Sequence, residues 1–147
     1  MKKVSIVLAV TAAFLIVGAA KIAIGQEKGA KTGKPVYVSS ESASYSESMP
    51  GVSMAVIWGD PDKGAHATFT KFTPGYDAGM HSHTNDVSIV VLKGAYLYKD
   101  DQGDKRVGPG EFLRVPGGHK HWSGGDKTDG ALFYEEGAAK FDVVPAK

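Results

Sequence analysis

The chain contains no cysteine. Disulfides, zinc–thiolate sites, iron–sulfur clusters and cysteine nucleophiles are therefore excluded, as is a lipoprotein anchor, which needs a cysteine at the cleavage point. Histidine is scarce at five residues, so metal and acid–base chemistry must be sought at few positions. A basic surface is also missing. Formal charge is +1, but taking away Lys2, Lys3 and Lys21 leaves 14 basic against 16 acidic residues beyond position 25. Phosphate neutralisation needs clustered cations, so nucleic acid is excluded as a partner. No helical period is sustained beyond Gly51, and no glycine-rich phosphate loop is present. What is abundant is glycine, 19 residues in 147, which favours tight turns between short strands.

A length of 147 residues suits one domain, on the usual scale of roughly 100–200 residues. Lys2 and Lys3 precede an uncharged, mostly apolar run over 4–20, followed by Ala23-Ile24-Gly25. Basic, apolar and small-residue regions in that order read as a secretory signal over 1–25, cleaved after Gly25. The run of 17 residues is also just long enough to remain as a single-span anchor, the one route by which a membrane enters. The folded part is expected in a periplasm or secreted. Residues 26–50 read as a flexible polar leader and arm, with a short edge strand at 36–38 and six serines over 39–48.

From 51 to 147 the pattern is short β-type runs cut by turn residues. Runs at 52–58, 65–72, 87–92, 95–98, 112–115, 120–123 and 131–134 are separated by segments such as Gly59-Asp60-Pro61 and the acidic turn 100–104. Such spacing predicts an all-β sandwich or closed barrel.

Four histidines fall into two pairs, His81-Ser82-His83 and His119-Lys120-His121. On a strand, residues i and i+2 share a face, so each pair can aim two imidazoles at one point. Three neutral imidazoles with open positions make a site for iron, zinc, manganese, nickel or copper. His66 sits in an alternating run and reads as packing or exposure rather than ligation. Tyr96 and Tyr98 share a face and read either as phenols toward a substrate or as cross-strand packing. Trp58 and Trp122 read as core or rim aromatics. Of Glu135 and Glu136, one reads as solvated and the other as a partner to a ligand imidazole's second nitrogen.

The glycine and proline frame sharpens this pattern. Five residues separate Gly75 from His81-x-His83, with Gly94 closing the first motif; Gly110, Pro116-x-Gly118 and His121 form the second. Fifteen residues separate Gly94 from Gly110. Over 51–147 the chain thus resembles the cupin superfamily. Trp58-Gly59-Asp60-Pro61, His81-Ser82-His83-Thr84 and Lys140-Phe141-Asp142 are similar to small single-domain bacterial cupins related to anti-sigma-factor cupins. The resemblance implies a jelly-roll β-barrel with a metal near its mouth. It departs from the common pattern at Val87, where cupins usually carry a glutamate ligand, and at Gly125, where an asparagine often ends the second motif. The implied ligand set is then His81, His83 and His121, as in the similar acetylacetone dioxygenase type, which holds Fe(II) with three histidines. Asp86 is the alternative carboxylate, although alternation turns it to the other face. His119 reads as a rim residue or, with Tyr96, as a candidate for a catalytic role. One divalent ion is expected, Fe(II) ahead of Zn, Mn or Ni, with a small-molecule substrate or ligand and a homodimer as the assembly. The activities implied are an Fe(II) dioxygenase, a non-redox lyase or isomerase, or a binding and sensing protein without turnover.

Overall fold

Alternation along the chain builds the sheets directly. The computed structural model describes residues 34–146; the expected signal at 1–25 and the leader at 26–33 lie outside the described residues. Eleven strands are present, with no helix among the described residues: β1 Ser46–Met49, β2 Val52–Gly59, β3 His66–Phe72, β4 Asp77–Ser82, β5 Val87–Gly94, β6 Tyr96–Asp100, β7 Gly103–Val107, β8 Phe112–Val115, β9 His121–Gly125, β10 Ala131–Gly137 and β11 Val144–Pro145. They form a six-stranded sheet in the order β1-β2-β3-β10-β5-β8 and a five-stranded sheet in the order β11-β4-β9-β6-β7. All pairings are antiparallel, and the two-sheet all-β roll is the one that the cupin resemblance implies.

Period-two burial fixes which side chains turn inward. Val87, Ile89 and Val91 of β5 are buried while Ser88, Val90 and Leu92 between them are only partly covered. These join Tyr96, Tyr98, Val107, Val115, Ala131 and Phe133 in one core, against which Phe72, Leu113 and Phe141 pack. Phe72 meets Phe133 edge-on at 5.0 Å and stacks on Tyr96 at 5.5 Å. Phe133 is 1 % exposed, and its truncation to alanine would cost about 3–5 kcal/mol.

Two local expectations are corrected. Residues 36–38 form no strand, whereas Ser46–Met49, read as part of a loose arm, pairs antiparallel with β2. The serine-rich stretch lacks apolar side chains, but strand addition needs only backbone donors and acceptors, and all four residues of β1 stay exposed. The acidic turn is a hairpin, with Asp100 paired to Gly103 and the polar β7 as an exposed edge. That polarity suits an edge strand.

Two glycine contacts bring the site-bearing segments together. Gly94 has φ +68° and a Cβ there would lie 2.3 Å from the Gly130 carbonyl oxygen, so only glycine lets β5 turn into β6 against that backbone. A Cβ on Gly117 would lie 2.5 Å from the Thr84 carbonyl oxygen. The turn before β9 is thereby pressed onto the loop after β4, and the Gly118 N–H donates to the His83 carbonyl at 2.7 Å.

Candidate metal centre

The antiparallel pairing of β4 with β9 sets His81 directly opposite His121. His83 follows one residue past the end of β4, so the two segments converge three imidazoles. Ring centroids are 4.3 Å apart for His81 and His121, 5.1 Å for His81 and His83, and 5.3 Å for His83 and His121. All three residues are buried, and one ring nitrogen from each lies within 4.8 Å of the others.

The outer nitrogens settle what the inner ones can do. Nδ1 of His81 lies 2.9 Å from the Gly79 carbonyl, that of His83 2.6 Å from the Asp142 carbonyl, and that of His121 3.0 Å from the His119 carbonyl. A carbonyl only accepts, so each Nδ1 carries the proton and each neutral ring leaves its Nε2 lone pair toward the centre. Burial pushes the His83 imidazolium pKa down, and burial lowers that of His121 to about 4. Nε2 of His121 is buried with no hydrogen-bond partner. A buried unpartnered acceptor is costly, and its place beside the His81 and His83 rings fits a divalent cation.

A cavity of about 100 Å³ opens beside the centre, lined by His81, His83, Val87, Tyr96, Glu135 and Phe141 among others. Val87 is buried, 7 % exposed, and lines the same cavity as His81 and His83, so the sequence position at which the resemblance expects a carboxylate carries an apolar side chain. Tyr96 is buried beside the Ser123 hydroxyl, and burial holds its phenol well above the ordinary range. Tyr98 is elsewhere: its ring stacks on His121 at 5.3 Å, and its hydroxyl donates to Asp100 at 3.0 Å.

The remaining candidates lie apart from the cavity lining. The His119 ring turns to Asp100, with Nε2 3.1 Å from the carboxylate, and only its backbone carbonyl serves the site. Asp86 is exposed, pairs with Arg114 and accepts the Gly117 N–H at 2.8 Å. His66, 1 % exposed, is held by the Gly64 carbonyl at 2.9 Å and meets Phe141 edge-on. Trp58 is 40 % exposed, and Trp122 donates to Asp77 at 2.6 Å. Glu136 is exposed and accepts from Tyr134.

Two residues carry more than sequence reasoning gave them. Asp142 clamps the loop after His83: its carboxylate accepts from the Thr84 N–H at 2.7 Å and the Thr84 hydroxyl at 2.6 Å, while its own carbonyl accepts from the His83 Nδ1–H. Glu135 partners no imidazole nitrogen, because backbone carbonyls already hold all three. It is 5 % exposed, burial raises its pKa to about 7, and its Oε1 has no partner. Its signal was parity: Ala131, Phe133, Glu135 and Gly137 share the inward face of β10.

A family model described as the ChrR cupin-like domain matches residues 33–140. No curated protein sequence matches the chain. Among solved structures, the polyketide cyclase RemF from Streptomyces resistomycificus is similar at TM-score 0.64 and 20 % identity, over 78 % of this chain and 87 % of that one. KdgF from a Halomonas species is similar at TM-score 0.57 and 20 % identity, over 71 % and 94 %. The complex of Rhodobacter sphaeroides SigE with the anti-sigma ChrR matches at TM-score 0.54 and 18 % identity, over 66 % of this chain and 49 % of that one. Identities this low establish a shared fold and no shared reaction.

Proposed function

From a chain that belongs to the ChrR cupin-like domain family, we propose an exported cupin that binds one divalent ion through His81, His83 and His121 and acts there on a small oxygenated organic molecule. The observation that carries this reading is the convergence of three buried imidazoles, without a carboxylate among them, beside a largely apolar cavity. Fe(II), in a dioxygenase-like role, is the ion we favour. A bound ion of this kind supplies a Lewis acid and, if iron, a redox centre. With no anionic protein ligand, its charge is left for an anionic or bidentate ligand to offset.

The chain's own residues then do the rest. Backbone carbonyls of Gly79, His119 and Asp142 hold the three rings in one tautomer. Val87, Ile89 and Phe141 line the cavity with apolar surface, and fewer competing waters there would strengthen polar interactions with a ligand. Tyr96 and Ser123, hydrogen-bonded to each other, add a polar stretch to the lining.

Metal analysis after anaerobic purification tests the reading. Iron near one per chain supports the dioxygenase. Zinc, manganese or nickel supports a non-redox lyase or isomerase, and absence of any bound metal refutes the centre. The family's ChrR description supports a second reading, a binding or sensing role without turnover. Steady ligand affinity with no product would establish it. Export predicts a mature chain beginning at Gln26, and an intact mass retaining Met1 refutes cleavage. Exposed Phe112, Trp58 and Val56 support a homodimer, read by light scattering.

A further inference from the structure

Glu135 stands out because nothing in the fold accounts for it. It projects from the middle of β10, between Thr68 of β3 and Ile89 of β5 in register, into the cavity that His81 and His83 also line. A carboxyl so buried normally has hydrogen-bond partners or a cation. The nearby hydroxyls are otherwise engaged, Thr68 with Thr70 at 3.0 Å and Tyr96 with Ser123. Glu135 is the one acidic residue lining the cavity among the described residues. The other titratable groups facing that space are His81 and His83 from the β4 segment, Tyr76 before it, and Tyr96 from β6.

We infer that Glu135 is the proton acceptor for a small enolisable carbonyl compound, or an equally small O–H acid, that enters the cavity neutral and is held at the three-histidine centre as its monoanion. This rests on the metal-binding reading above. Three neutral imidazoles leave a dication uncompensated, which favours an anionic ligand, and the apolar walls offer no solvent base. Glu135 lines the same cavity as His81 and His83, so a ligand held at the centre lies in the space that the carboxyl faces. The C–H or O–H bond of the ligand breaks, its electron pair stays on the ligand, and the proton forms the O–H bond of a neutral Glu135. Charge is thereby conserved within the cavity: the anion faces the metal and the carboxyl becomes neutral where burial prefers it. A pKa raised to about 7 lets the same group return the proton near neutral pH.

The test uses the full chain loaded with Zn(II), which has no redox chemistry, and acetohydroxamic acid as probe. Calorimetric titration at pH 6, where a bound dication keeps Glu135 ionised beforehand and a pKa of about 7 keeps an accepted proton on it once the ligand offsets that charge, uses two buffers of different ionisation enthalpy to count the protons released per ligand bound. Glu135→Gln and Glu135→Leu are both expected to bind Zn(II) as wild type does. Each should release about one more proton per hydroxamate than wild type, because the internal acceptor is gone, with affinity lower by roughly tenfold or more. Equal proton counts in wild type and both variants would overturn the assignment while leaving the metal centre intact. A wild-type protein that takes up Zn(II) but no hydroxamate refutes the chelating-ligand reading and this inference with it. Failure to take up Zn(II) refutes the centre itself.

Discussion

Replacing Glu135 by glutamine should change the pH dependence of stability in a direction opposite to that of most buried-carboxylate variants. In the folded chain burial raises this carboxyl from 4.5 to about 7. The native state therefore holds its proton more tightly than the unfolded state does. Stability from this group is fully present below pH 4.5 and is lost as pH rises to about 7. The difference between 4.5 and about 7, at roughly 1.4 kcal/mol per pH unit, amounts to about 3 kcal/mol. Glutamine has the same shape and no proton to lose. At pH 4 the variant and wild type should unfold at similar temperatures, and at pH 8 the variant should be more stable by about 3 kcal/mol, or about 10 °C for a domain of this size. His83 and His121, whose burial depresses their pKa values, act with the opposite sign, weakening the fold as pH falls below about 6.5. They are present in both proteins and cancel in the difference. Thermal unfolding by circular dichroism at pH 4, 6 and 8, with a chelator present, is the assay. Parallel curves for the two proteins at every pH would refute the claim that the Glu135 carboxyl is desolvated and unpaired.

Alanine at His81, His83 or His121 should lower metal affinity by about tenfold or more, the scale seen even for outer partners of such sites, whereas His66→Ala should leave it unchanged; equilibrium dialysis decides, and full retention in His121→Ala would remove β9 from the centre. Val87→Glu should fold and gain affinity for Mn(II), because Val87 already faces the cavity and oxygen ligands suit that ion. A melting temperature that does not respond to Mn(II) more than wild type's counts against it. Asp142→Ala removes both hydrogen bonds to Thr84 and should cost about 1–3 kcal/mol along with weaker metal binding, since the loop carrying His83 is loosened. Unchanged denaturant midpoints would show the clamp to be dispensable.

The fold and the centre were legible for different reasons. Turn residues and period-two runs marked 52–58, 65–72, 87–92 and 112–115, because each is an apolar or alternating stretch whose inward side chains fill the core. β1 and β7 left no such trace, since edge strands pair through backbone alone and keep polar side chains. The i, i+2 spacing of His81 and His83 reads directly as a shared face, and His121 joins them through cross-strand register. His119 follows the same spacing, yet it precedes β9 after the turn at Gly117 and Gly118, so strand parity does not govern it. Its ring goes to Asp100 instead. The roles of Asp142 and Glu135 depend on contacts between residues 58 apart, as with Thr84 and Asp142, or on the shape of the interior, which spacing does not encode.

The register that sets His81 against His121 also makes the centre a staple. In a chain without disulfides, an ion at these side chains closes a loop between two points 40 positions apart in sequence. Closing a loop of that length removes unfolded-state freedom worth about 4 kcal/mol in the chain-entropy model used for covalent links. His83, whose ring proton rests on the Asp142 carbonyl, extends the tie to the carboxyl end of the domain. A crosslink made this way is indifferent to thiol reductants and sensitive to chelators. If the centre holds an ion, its removal should loosen β4 from β9 more than the core behind them.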